Sequence, residues 1–364
     1  MDKQEEKAQK KKCGWVKSVP LLVMEICILF LAIGIMYVVL TTTADVEHTN
    51  IDEERISIND EIAETMKNEV INDDDTTVKG YRSIALFGVD SRNGDLGKGT
   101  RSDSIMIASI NQDTQEIKLI SVYRDTFLNL GNDSYNKCNA AYAKGGPEQA
   151  ISMLNTNLDL DITDYVTVGF GGLIDAVDAI GGIEMEITDT EISHLNNYQL
   201  SMAKEMEIDY IPVEHSGMQL LNGMQATAYC RIRYGGGDDF RRAERQRSVL
   251  YAMMTKAKSA SVSELTEMVI AILPEVQTSL DLNEILSVLG SVAGYDVVTS
   301  DGFPFEDSRT GARMGSKGDC IIPDNLEENV IALHELLYPE KEYKPSRQVI
   351  NISTEIETLA GQYR

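Results

Sequence analysis

The chain has 364 residues, with 58 acids against 33 bases, a formal net charge of −25 and a sequence pI near 4.5. That balance excludes nucleic acid as a partner, because phosphate backbones select strongly basic surfaces. With 43% apolar and 25% charged residues, most of the chain can bury a core, and disorder throughout is excluded.

The first 40 residues hold six lysines and four acids, so the remaining residues carry −27. Within them, residues 19–40 form an apolar run of 22 residues whose only charge is Glu25. At about 1.5 Å per residue, such a helix covers a hydrocarbon core of roughly 30 Å. The lysines before it and the acids after it predict a cytoplasmic amino terminus with the rest of the chain outside. The sequence TTTAD at 41–45 is a poor cleavage site, which favours an uncleaved anchor over a signal peptide. The expected order is a cytoplasmic tail over 1–18, a transmembrane helix over 19–40 and an acidic extracellular stalk over 41–79. That stalk holds 12 acids and three bases.

Strand signals begin at Arg82–Val89, a short apolar run closed by a turn, as in a buried central strand. Ser104–Asn111 and Glu116–Val122 flank a turn-prone Gln112-Asp113-Thr114 and predict a hairpin. Pro147–Leu158 reads as a helix with Pro in its first turn, Asp164–Phe170 as a strand, Gly171–Ile180 as a helix and Ile183–Ile187 as a strand. This alternation predicts an α/β fold, an α-β-α sandwich around a central mixed β-sheet. Helical periodicity continues over Ala243–Ala257, Val262–Leu273, Leu282–Ala293 and Leu326–Leu337. One domain over 80–340 is expected, followed by a loosely held polar tail over 341–364.

Five cysteines and four histidines give little chemistry. Cys138, Cys230 and Cys320 lie beyond the apolar span, so one intramolecular disulfide at most is available to them, with the pairing open. The histidines fall in no zinc or catalytic pattern.

Three segments carry more. Asp90 follows a central strand, where ligands bind in open α/β sheets. Asp103, past a glycine-rich loop, is able to return beside it, and two carboxylates with phosphate oxygens and water complete the octahedral shell of Mg²⁺. The plainer alternative is that both cap turns. The loop itself is not a Walker motif, since Gly97-Lys98 is followed by Gly99 and a strand. Tyr123-Arg124-Asp125 ends a hairpin strand. In residues 231–247, Arg231 and Arg233 would share one face of a strand, and Asp239 would cap a helix carrying Arg242, Arg245, Gln246 and Val249. Nine of 15 arginines (92, 101, 124, 231, 233, 241, 242, 245 and 247) lie in these segments. Arginine is the residue for bidentate phosphate or carboxylate recognition, so a convergent anion site is expected over a salt-bridged surface helix.

The motifs GVDSR, RSDS, YRD, YNKCNAAYAKGG, RIR and DDFRRAERQ, over about residues 81–340, together resemble the LytR-CpsA-Psr family of membrane-anchored cell-wall enzymes, mainly of Gram-positive bacteria. The resemblance implies a phosphotransferase that moves a glycopolymer from an undecaprenyl-pyrophosphate carrier onto a muramic acid hydroxyl of peptidoglycan, in a fold that holds the polyprenyl chain in an apolar pocket. It implies Asp90 and Asp103 as ligands of Mg²⁺ (or Mn²⁺). Arg101, Arg124, Arg231, Arg233 and Arg242 would grip the pyrophosphate with Gln246 beside them, and Arg92 and Lys137 would contribute. Asp239 is the expected general base and Asp125 its rival, since no histidine lies in any motif. Arg241 stands where the family often has glycine. Two other readings fit the same motifs: a polyprenyl pyrophosphate hydrolase, and a non-catalytic membrane-tethered regulator or binding module.

Overall fold

The near-continuous apolar run within Tyr81–Val89 (β1) gives a strand whose two faces both need cover, and the computed structural model supplies it from both sides. Residues 55–65, 70–71, 77–78, 80–90, 96–234, 239–281, 284–285, 288 and 291–363 are described. The expected anchor over 19–40, the tail before it and part of the acidic stalk lie outside them. All described residues belong to one unit, Glu47–Arg364.

The expected hairpin forms from Ser102–Asn111 (β2) and Glu116–Val122 (β3). A short hairpin of Phe127–Asn129 (β4) and Tyr135–Lys137 (β5) follows. The helix Asn139–Leu158 (α1) starts earlier than Pro147 and is broken at Gly145 and Gly146; Gly146 has φ 70°, a conformation that favours glycine. Pro147 then restarts the helix. Asp164–Val168 (β6), Phe170–Ala179 (α2) and Ile183–Ile187 (β7) fall where the pattern places them. Next come Asp189–Met206 (α3), Gly217–Leu221 (β8), Gly223–Tyr229 (α4), Asp239–Ser259 (α5) and Val262–Ile272 (α6). Val276–Thr278 (β9), Asp296–Phe303 (β10), Arg309–Arg313 (β11), Asp319–Pro323 (β12), Leu326–Leu337 (α7) and Arg347–Ala360 (α8) complete the unit. The helix expected over Leu282–Ala293 falls largely outside the described residues.

The central sheet has six strands in the order β9-β6-β1-β2-β3-β10. It is mixed: β6 runs parallel to β1 and β10 parallel to β3, while the remaining pairs are antiparallel. On one face Phe87, Val89, Ile105, Ile107, Ile120 and Val122 pack with residues of α1, α7 and α8. On the other, Met106, Ala108, Ile117 and Leu119 meet Leu250 and Met254 of α5. A separate apolar cluster joins α2, β7, α3, β8, α4 and α5 through Val177, Ile183, Leu195, Leu221, Ala226 and Val249. The architecture is the expected sandwich around a mixed sheet.

The carboxyl-terminal segment differs from expectation. It contains the 14-residue helix α8, whose Val349, Ile352, Ile356 and Ala360 are buried in the main core. These positions recur at helical spacing on a chain that is otherwise polar, so a low apolar content concealed a docked helix.

Candidate functional site

A β-bulge builds the site. Val89 pairs with Ser102 and Gly88 with Ser104, which leaves Asp103 as the extra residue of β2. The strands approach closely there: a Cβ on Gly88 would lie 3.0 Å from Ser104 Cβ. Asp90, next after Val89, is thereby brought to the same strand ends as Asp103. Arg124 follows β3 on the other side of β2, and α5 presents Asp239 and Arg242 from its first turns.

These elements converge on three carboxylates. Asp103 Oδ1 accepts a hydrogen bond from Arg124 Nη1 at 2.8 Å, and its Oδ2 accepts one from Arg242 Nη2 at 2.9 Å. Asp239 Oδ1 accepts from Arg233 Nη2 at 2.8 Å and lies 3.5 Å from Arg124 Nη2. Asp125 Oδ1 is 2.8 Å from Lys137 Nζ, and its Oδ2 is 3.6 Å from Arg124 Nε. Arg124 therefore touches all three acids and is the hub of the cluster.

The charges are not balanced by these contacts. Burial would raise the Asp103 carboxyl, but Arg242 and Arg124 outweigh it and hold it below the usual range. Burial and the positive charges of Arg242 and Arg124 push the Arg233 guanidinium below its ordinary value despite the nearby Asp239 and Asp103. Arg242 is 6% exposed, and its Nε and Nη1 have no hydrogen-bond partner among the described residues; the same holds for Arg124 Nε. Buried donors of this kind are costly unless an acceptor meets them, so the cluster has donors to offer an acceptor besides its own carboxylates.

Other expected residues divide. Lys137 is part of the cluster. Arg101 is exposed at the start of β2, two residues before Asp103, and Gln246 is half-buried one turn along α5 from Arg242. Arg92 lies outside the described residues. Arg231 and Arg233 are not on a strand: both follow α4 in irregular chain, with Ile232 buried between them. Arg233 reaches Asp239, whereas the Arg231 guanidinium lies over Phe170 at 4.5 Å from the ring centroid and 5.7 Å from that of Tyr198. Two arginines of the expected group are structural. Arg245 is buried against Glu191 at 3.0 Å, and Arg247 Nε donates to Ser300 Oγ at 2.9 Å. Arg241 is exposed.

Cys138, Cys230 and Cys320 are free and buried. Cys138 is fixed by its Sγ donating to the Tyr123 carbonyl at 3.2 Å, and burial pushes the Cys230 thiol up to about 12. A support that sequence reasoning missed lies behind the cluster, where Tyr123, Phe240, Ala243 and Ile321 pack together beneath Arg309. Arg309 stands alone in the sequence, so no spacing pattern marks it.

As for metal, no group of three or more potential ligands occurs among the described residues. The donor chemistry of Asp90 and Asp103 nonetheless fits Mg²⁺, which takes one or two carboxylates and completes its shell with phosphate and water. A carboxylate has about four lone-pair sites, and the two arginines occupy only part of those on Asp103.

The LytR_cpsA_psr family model matches residues 35–314. A polyisoprenyl-teichoic acid–peptidoglycan teichoic acid transferase, TagU, of Oceanobacillus iheyensis is 31% identical over 58% of this chain and 63% of its own length. Biofilm regulatory protein A of Streptococcus mutans is also 31% identical, over 58% of this chain and 53% of its own length. The chain thus spans less than two thirds of the length of these curated relatives. The crystal structure of Bacillus subtilis TagV superposes with a TM-score of 0.58 at 26% identity, covering 73% of this chain and 99% of that one.

Proposed function

Since the chain belongs to the LytR_cpsA_psr family, we propose that it transfers a glycopolymer from an undecaprenyl-pyrophosphate carrier to a hydroxyl of muramic acid in peptidoglycan. The observation that carries this reading is the pair of buried Arg242 donors, Nε and Nη1, which meet no hydrogen-bond acceptor among the described residues, in the cluster that also holds Asp239. A pyrophosphate diester brings acceptor oxygens with about two negative charges to those donors. The name of the O. iheyensis relative supplies the substrate class.

In the proposed reaction the acceptor hydroxyl attacks the phosphorus that bears the glycan. A new P–O bond forms, the P–O bond to the bridging oxygen breaks, and undecaprenyl phosphate leaves. Asp239 takes the hydroxyl proton, and Asp125, held by Lys137, is the alternative base. Arg124, Arg233 and Arg242 bind the phosphates and stabilise the charge that builds on the leaving oxygens, with Arg101, Lys137 and Arg92 at the margins and Gln246 beside Arg242. Arg231, stacked on Phe170, is assigned to the carrier side of the site. Asp90 and Asp103 would hold Mg²⁺ (or Mn²⁺), which would neutralise phosphate charge. Half-buried Leu86, Val166 and Val168, on the sheet face toward α5, form an apolar row for the polyprenyl chain. Anchoring by residues 19–40 in the cell membrane, with the catalytic unit outside, would keep the site beside its lipid-linked substrate.

The test is transfer by the full chain from a polyprenyl-pyrophosphate-linked glycan, assayed with and without peptidoglycan. Glycan-linked peptidoglycan together with polyprenyl phosphate is expected. Carrier cleavage that is indifferent to acceptor would instead establish a pyrophosphate hydrolase. No turnover with any carrier, at any Mg²⁺ or Mn²⁺ concentration, would leave a binding module.

A further inference from the structure

We propose that Arg309, which belongs to none of the arginine-rich segments, is a positioning residue that sets the two arginines gripping Asp103; the consequence for catalysis rests on the transferase reading above. The Arg309 guanidinium carbon lies 3.8 Å from the ring centroid of Phe240 and 4.9 Å from that of Tyr123. Those rings meet edge to face, with centroids 4.7 Å apart. Arg309 Nη1 donates to the Pro304 carbonyl at 2.9 Å and to Tyr123 Oη at 3.2 Å, so the guanidinium is held in one orientation.

What these rings carry gives the contact its meaning. Tyr123 is bonded to Arg124, and its own N–H donates to the Phe303 carbonyl at 3.0 Å. Phe240 sits between Asp239 and Arg242 on the first turn of α5. Stacking on both rings therefore ties the end of β3 to the start of α5, the two elements whose arginines meet on opposite oxygens of Asp103. Gly302 keeps the arrangement open, because a Cβ there would come within 2.0 Å of Tyr123 Oη. A planar cation over aromatic faces suits this clamp, and lysine reproduces the charge without the plane.

Arg309 touches no reacting group, so its removal should act on geometry. In full-chain Arg309→Met, kcat for transfer is expected to fall by roughly 10²-fold, the scale of a misplacement near 1 Å, with KM for the carrier changed far less. Arg309→Lys should recover part of the loss. A second readout needs no turnover: the side-chain Nε resonances of ¹⁵N-labelled Arg124 and Arg242 should shift in Arg309→Met and move back toward wild type in Arg309→Lys. Unchanged resonances and unchanged kcat in both variants would overturn the proposal. So would a loss of activity in Arg309→Met that only follows the loss of folded protein, with kcat per folded molecule intact. A wild-type chain without transfer activity would count against the transferase reading, while the resonances would still test the positioning.

Discussion

Arg242 Nη2 lies 2.9 Å from Asp103 Oδ2, although 139 residues separate them, and the contact joins the first turns of α5 to the bulge of the central sheet. Asp103→Asn removes the negative charge on which both Arg242 and Arg124 rest. For a pair whose side chains are 7% and 24% exposed, breaking it should cost about 2 kcal/mol of stability, below the range for fully buried pairs because water reaches the acid. Arg242→Ala should lower transfer by about 10²–10³-fold, in line with loss of one preorganised donor. Denaturant titration and transfer kinetics measure the two effects, and full transfer by Arg242→Ala would sink its assignment.

The choice between Asp239 and Asp125 as base is testable by substitution. Asp239 meets Arg233 and Arg124, whereas Asp125 meets Lys137 at 2.8 Å and so is tied to a different cation. Asp239→Asn is expected to reduce kcat by about 10²–10⁴-fold with carrier affinity kept, as for loss of a general base. Asp125→Asn should act mainly on affinity, through Lys137 and Arg124. The reverse pattern in kcat and KM would exchange the two roles.

What the sequence disclosed followed from local patterning. An apolar run closed by a turn located β1, the turn-prone Gln112-Asp113-Thr114 located the hairpin of β2 and β3, and glycine and proline punctuation located α2 and the later part of α1. The arginine-rich segments pointed to one place because each sits at an element end on the same side of the sheet. What stayed hidden depended on contacts distant in sequence. Nothing around Arg245 tells that Glu191, 54 residues earlier, will take it away from the site. The alternation of Arg231 and Arg233 resembled a strand, yet Ile232 is buried between them without strand pairing, and the two arginines diverge to Phe170 and Asp239. Arg309 needs the fold itself to bring it over Phe240.

Truncation at Pro345 tests the docked status of α8. Deleting residues 346–364 would uncover the face of the core against which Val349, Ile352 and Ile356 pack. It would also strip buried Asp159 of the Ser346 N–H and hydroxyl, each donating at 2.7 Å. We expect the truncated chain to be too unstable to purify folded, and Ile352→Ala in the intact chain to lose about 2–4 kcal/mol. Thermal unfolding is the measurement. A truncated protein with wild-type Tm would show that this helix is dispensable.

His334 predicts an acid limb in stability. Its ring stacks on Tyr343 with centroids 3.6 Å apart, and its neutral Nε2–H donates to the Leu158 carbonyl at 2.8 Å. Burial pulls its pKa down to about 4, against hydrogen bonding to Leu158 and the nearby Asp159 charge, which favour the proton. The unfolded chain, with an ordinary histidine near 6.5, binds the proton more readily than the folded chain throughout the interval between the two values. Stability from this group is therefore complete above about pH 6.5 and declines as pH falls toward about 4, by an amount on the order of 3 kcal/mol. The carboxyl of Asp103, held low by its arginines, responds below this window. His334→Gln keeps an N–H donor without a titrating ring, so it should flatten the pH dependence of unfolding free energy between pH 6.5 and 4 relative to wild type. Equal slopes for the two proteins across that interval would mean that His334 does not supply the limb.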